Sequence, residues 1–192
     1  MSFEQLSTYK IIQDAPTIYI NGPHIFIPEQ LSSSISIVSS LDSNIAFKSE
    51  EFKDVFGAMN TLYASNGCSI TVKENTTLEG PIQIIFLHTG AQFFYRNQLK
   101  FGRNSEAQIV LAHFSTTDSI GFSHTHTQIE VAQDARVKVH KVQACEDGHF
   151  DFNEERIFQD QQSNFEINTI SLKGSFIRND LSAQVLGEHA ET

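Results

Sequence analysis

A chain of 192 residues, 40% of them apolar and 19% charged, has the size and composition of one folded domain. At this length roughly 70% of the unfolded surface is buried on folding, so no disulfide staple is needed. The formal charge is −10, from 13 bases against 23 acids, and the bases are scattered singly. Without a Lys/Arg run to meet phosphate, the expectation is no nucleic-acid partner and no membrane partner.

The first elements read as short strands. Thr17–Ile20 runs into Asn21-Gly22-Pro23, a tight-turn signal, and His24–Ile27 returns before Pro28, which predicts a β-hairpin. Ser34–Val38 alternates, with Ile35 and Ile37 on one face. A helix follows from Ser49 to Asn66: Phe52, Val55, Phe56, Met59, Leu62 and Tyr63 recur at three- and four-residue spacing. Ser49 is placed to cap it, Glu50 and Glu51 suit its positive end, and Asn66-Gly67 is a stop. One apolar stripe predicts a packing helix that covers one end of a sheet stack.

Beyond Gly67 the helical period gives way to a repeat. Ile70-Thr-Val72 leads through Asn75 to Leu78. Leu99-Lys-Phe101 leads through Asn104 to Ala107, Ile109 and Leu111. Ile129-Glu-Val131 leads through Asp134 to Val137 and Val139, and Ile157-Phe-Gln159 through Gln162 to Phe165 and Ile167. The starts lie 29 (70 to 99), 30 (99 to 129) and 28 (129 to 157) residues apart. A fifth unit is expected at Leu181, with Ala183 and Val185, before a turn at Gly187-Glu188.

Each unit is a strand, a short polar turn and a second strand, too small to bury its own apolar face, so the units must stack. The predicted fold class is all-β dominated: a right-handed parallel β-helix with a short N-terminal β-hairpin region and one packing α-helix. Longer excursions are expected at Phe93–Arg96, Thr116–His124 and Glu146–Glu155. A twisted sandwich is the alternative, disfavoured by the regular spacing. Residues 1–66 form the N-terminal strands plus the amphipathic helix, and residues 67–192 the rungs of one folding unit.

Candidate chemistry is sparse. His124, His126 and Glu130 share a strand face, and His-x-His with a carboxylate is the metal-ligand set of cupins. The flanking glycines of that pattern are replaced by Asp118 and Val137, and no proline follows Pro81, so surface or rung-stacking histidines are the simpler reading. His88, His113 and His140 lie on predicted strands without a partner at ligand spacing. Glu50-Glu51 and Glu154-Glu155 read as solvated faces at a helix start and in a loop. Cys68 and Cys145 are far apart and outside any Cys-x-x-Cys pattern, which predicts buried, reduced thiols. No nucleophile elbow, zincin motif or phosphate loop occurs. The expectation is therefore no catalytic, cofactor-binding or metal-binding residue and no enzyme. Residues 1–14 lack a signal-peptide pattern, and no run reaches the roughly eighteen apolar residues of a bilayer span, so the expected location is cytoplasmic.

Several segments carry a resemblance. Ala58-Met-Asn60-Thr-Leu-Tyr63, Gly67, Ile70-Thr-Val72 and Leu78-Glu-Gly-Pro81-Ile82 stand early. Arg103-Asn-Ser-Glu-Ala107 and Gln133-Asp-Ala135 form polar turns, and Ile177-Arg-Asn-Asp180-Leu181, Leu186-Gly-Glu188 and Ala190-Glu191 close the chain. Their order and spacing resemble the SufB/SufD family of the Suf iron–sulfur cluster assembly machinery, on its SufD side. The resemblance implies a parallel β-helix and a non-catalytic scaffold subunit that pairs with a SufB-like subunit and a SufC-like ATPase. It also implies a partial chain, without the preceding helical segment, the second half of the β-helix and the C-terminal helices. The family's interface residues lie outside the matching segments, so it transfers no site residue. Two thiols are too few for a four-thiolate cluster, so an iron–sulfur cluster is expected only at a site shared with a partner. An unpaired last rung predicts self-association. The competing readings are a cupin-like metal protein and, more weakly, a β-helical carbohydrate-active protein.

Overall fold

One residue per repeat holds a left-handed backbone, and it sets the architecture. Asn75, Asn104, Asp134, Gln162 and His189 have φ of 56°, 53°, 62°, 56° and 58°, a region that Asn and Asp enter more readily than other side chains. Each of the first four donates its amide to the next unit: Asn75 to Arg103 O (2.8 Å), Asn104 to Gln133 O (3.0 Å), Asp134 to Gln161 O (3.3 Å) and Gln162 to Glu188 O (2.9 Å). The turns therefore stack as the strands do, and the chain coils with a repeat of one rung.

The computed structural model describes residues 3–28, 33–39, 54–64, 66–116 and 120–192. In order these form α1 (Phe3–Ser7), β1 (Thr17–Asn21), β2 (His24–Phe26), β3 (Ile35–Ser39), α2 (Val55–Tyr63), β4 (Cys68–Val72), β5 (Ile82–His88), β6 (Gln92–Phe101), β7 (Glu106–Ser115), β8 (Gly121–Val131), β9 (Arg136–Ala144), β10 (His149–Gln159), β11 (Asn164–Lys173) and β12 (Phe176–Val185). Two six-stranded sheets result, ordered β11-β9-β7-β5-β1-β2 and β12-β10-β8-β6-β4-β3. Pairing is parallel except at the N-terminal ends, where β2 and β3 run antiparallel to β1 and β4. The fold is a parallel β-helix, and the hairpin at Asn21-Gly22 starts it, with Gly22 at φ 54°.

The repeat starts are in register: Ile70 pairs with Leu99, Leu99 with Ile129, and Ile129 with Ile157. The fifth unit is corrected by two residues, because Ala183, not Leu181, pairs with Ile157. Inward side chains of both sheets form one continuous core that includes Ile70, Leu99, Phe101, Ile109, Ile129, Val139, Ile157 and Phe165; each such burial stabilises by about 1.5–3 kcal/mol. The expected excursions are also corrected. Phe93–Arg96 lies within β6, Gly121–His124 within β8, and His149–Glu155 within β10. Alternation continues through them; in β6 the inward positions are Phe93 and Tyr95 of the core, whereas in β8 and β10 they are largely polar, so a count of apolar periodicity stops short there.

Both outer faces are covered by N-terminal segments. Leu6 of α1 and Tyr9 pack with Tyr19, Ile85, Leu87, Ala112 and Phe114 on the first sheet. The buried Gln83 amide fastens this segment, accepting from the amides of Ile11 and Ile12 and donating to Ile12 O and Thr17 Oγ1. On the second sheet, α2 lies across β6 and β8, on the side of the stack rather than at its end. Its cap is Asp54, whose Oδ1 accepts from the amides of Phe56 (3.0 Å) and Gly57 (3.1 Å); Ser49, Glu50, Glu51 and Phe52 lie outside the described residues. Val55, Leu62 and Tyr63 stay largely exposed, and the face on the sheet is built from Phe56, Gly57 and Asn60. At Gly67 a Cβ would come within 1.9 Å of the Arg96 carbonyl oxygen, so the chain leaves the helix only through a residue without a side chain.

Candidate functional site in the polar half of the lumen

The interior of the β-helix has two halves. Toward the tight turns at 102–105, 132–135 and 160–163 the inward residues are aliphatic or aromatic. Toward the opposite edge, where the chain crosses through 89–91 and 145–148, inward positions become His88, His113, Ser115, Ser123, Lys141, Gln143, His149, Asp151, Asn153 and Glu155, all buried. Parallel register assembles them: His113 pairs with Phe86 and Gln143, His88 with Ser115, and Ser123 with Asp151. Gly121, paired with His149, makes room for the imidazole, since a Cβ there would lie 2.5 Å from Nδ1.

Ser123 donates to Asp151 Oδ1 at 2.7 Å, and its Oγ lies 2.9 Å from His149 Nε2. With the serine proton spent on the carboxylate, Nε2 of His149 is the donor and its Nδ1 carries a lone pair. Gln143 donates to Asp151 Oδ2 at 2.8 Å, and Nδ1 of His113 stands 3.8 Å from Oδ1. Deeper in, Lys141 Nζ donates to both Glu155 oxygens at 2.8 and 2.9 Å, a buried ion pair across the lumen. Rings of His88 and His149 stack at 4.8 Å, and those of His88 and His113 at 5.9 Å.

Burial keeps the imidazoles neutral: it drives His88 well below its ordinary range, lowers His149, and brings His113 to about 4. It pushes the Cys145 thiol up, and it raises Glu155 despite the Lys141 ammonium. At Asp151 burial works in the same upward sense, but the neighbouring imidazoles and the hydrogen bonds from Ser123 and Gln143 outweigh it and hold the carboxylate at about 2. His88, His149 and Cys145 each offer a donor atom within 4.8 Å of the others, and so do His88, His113 and Asp151.

Of the residues singled out in the sequence, His88, His113 and Cys145 meet here. His140 does not; it is half-buried on β9. His124 and His126 share a face as expected, but it is the outer one, beneath α2: Phe56 stacks on His124, and His126 Nδ1 lies 3.1 Å from Glu154 Oε2. Glu130 stands apart from them, bonded to Gln98 and Gln128. The parallel sheet is also not the antiparallel barrel of a cupin. Glu154 and Glu155, read as a solvated loop, are buried in β10, because Arg156 and His126 satisfy the first and Lys141 the second. Cys68 is buried as expected, its thiol pushed up to about 12 by burial. His149 and Asp151 were missed. Counting back in twos from Ile157 reaches 155, 153, 151 and 149, so parity alone identifies them as inward.

Fold and lumen together define a β-helical protein that carries ionisable chemistry inside its coil. The chain belongs to the family described as SUF system FeS cluster assembly, SufBD core domain, whose profile matches residues 85–192. The matched span starts in β5 and takes in every strand that contributes to the polar lumen. A role in iron–sulfur cluster assembly follows from that membership. No curated protein sequence matches the chain.

Proposed function

We propose that this chain is a non-catalytic scaffold subunit of iron–sulfur cluster assembly of the SufD kind, acting in the cytoplasm with a SufB-like subunit and a SufC-like ATPase. The observation that carries the reading is the family match over residues 85–192, coincident with the regular rungs. In support, the two thiols are both buried, Cys68 on β4 and Cys145 after β9, and two are too few for a four-thiolate cluster held by this chain's own cysteines. A cluster forms instead at a site shared with the partner. No helix of the described residues is long and apolar enough to cross a membrane.

The test is co-elution. The purified chain, mixed anaerobically with candidate SufB and SufC proteins from the same source, is expected to run as one complex and to raise the yield of reconstituted cluster. Separate elution at tens of micromolar, with no change in cluster yield, overturns the reading.

A further inference from the structure

We propose that the polar half of the lumen is a binding site for one divalent first-row transition metal ion, with His88, His149 and Cys145 as ligands. Nitrogen and sulfur donors select zinc-, cobalt- or ferrous-type ions over magnesium and calcium. The three donor atoms lie within 4.8 Å of one another and all three residues are buried.

Two further observations point to a ligand. Neither ring nitrogen of His88 has a hydrogen-bond partner among the described residues, and Nδ1 of His149 has none. Buried polar atoms are rarely left in that state, and both rings that carry them belong to the same cluster of three ligand residues. In addition, His149 already has the outer support that metal-bound imidazoles receive: Nε2–H to Ser123 Oγ, and Ser123 to the Asp151 carboxylate. Once the thiol proton is lost, one thiolate and one carboxylate balance a divalent charge without any further ion. The alternative triad of His88, His113 and Asp151 is disfavoured, because both Asp151 oxygens already accept hydrogen bonds, from Ser123 and Gln143. This differs from the expectation of no metal ligand drawn from the sequence, and it does not depend on the scaffold reading.

The experiment uses the full chain, stripped with chelator and kept reduced, with cobalt(II) added both to the native protein and during refolding. The expected result is one equivalent bound, with a thiolate-to-cobalt charge-transfer band. Cys145→Ser removes that band, His88→Gln abolishes stoichiometric binding, and Ser123→Ala weakens it by about 10–100-fold. His126→Ala, on the outer face, leaves binding unchanged. Circular dichroism and melting of each variant identify any that fail to fold, and His149→Gln replaces His88→Gln if that one does. No bound cobalt by either route overturns the proposal, as does binding that survives Cys145→Ser and the histidine variants undiminished.

Discussion

His124 shows how a buried side chain couples stability to pH. Its ring lies under Phe56 with centroids 6.4 Å apart, only 4% of it is exposed, and its Nδ1 has no hydrogen-bond partner among the described residues. Burial lowers it from 6.5 to about 4, against the attraction of Glu154. In the unfolded chain it takes a proton near 6.5, whereas in the folded chain it stays neutral until about 4. Stability is therefore complete above 6.5 and falls as the pH drops toward 4, by up to about 3 kcal/mol from this residue. Urea unfolding of the metal-free protein at pH 7, 6, 5 and 4 should show this decline, and His124→Gln should make it shallower, the other buried histidines keeping the rest. Equal slopes in parent and variant would refute the assignment.

Among the elements, α2 is held less by its apolar stripe than by one amide. Asn60 is fully buried and donates to two strand carbonyls, Tyr95 O at 3.0 Å and His124 O at 2.9 Å, bridging β6 and β8 from above. Asp54 adds a second attachment, an ion pair at 2.9 Å to Arg178 on β12. Asn60→Ala removes both buried N–H bonds to these carbonyls, so it should cost about 2–3 kcal/mol. Leu62→Ala, at an exposed position of the same predicted stripe, should change stability by less than about 0.5 kcal/mol. Thermal or urea melts of the two variants decide this, and the reverse order would mean that the apolar stripe does the anchoring. The sequence pattern located this helix but not its contact face, because hydrophobic spacing cannot reveal a polar side chain selected to meet strand carbonyls.

For the whole molecule the stack has unequal ends. At the N-terminal end antiparallel β2 and β3 close the two sheets. At the other end β11 and β12 are the outermost strands, covered among the described residues only by the short bridge of Glu191 to Asn164. Leu181 and Val185 lie on the inward face of β12, in register with Glu155 and Gln159, yet each is 52% exposed. Unpaired amides above an uncovered apolar surface are a template for another strand. The 192-residue chain is expected to pair with a second copy through this rung, giving a dimer by light scattering at about 100 µM and a monomer in Leu181→Lys. A parent that stays monomeric across that range removes the idea.

The coil was legible in local signals. The spacing from Ile70 to Ile157, period-two alternation beside each turn, and an Asn, Asp or Gln where the backbone turns left-handed are local signals, and each specifies its own rung. The hairpin at Asn21-Gly22 was legible for the same reason. The contents of the lumen emerge only on folding. His88, His113, Cys145 and the pair His149 and Asp151 come from four separate places along the chain, β5, β7, the residue after β9, and β10, and no spacing between them carries a motif. They become neighbours because parallel register repeats at nearly constant intervals and brings the same inward position of successive units into one column. Where those positions are apolar the repeat is visible and the core can be read; where they are polar the hydrophobic signal fades, and the chemistry is hidden in that stretch.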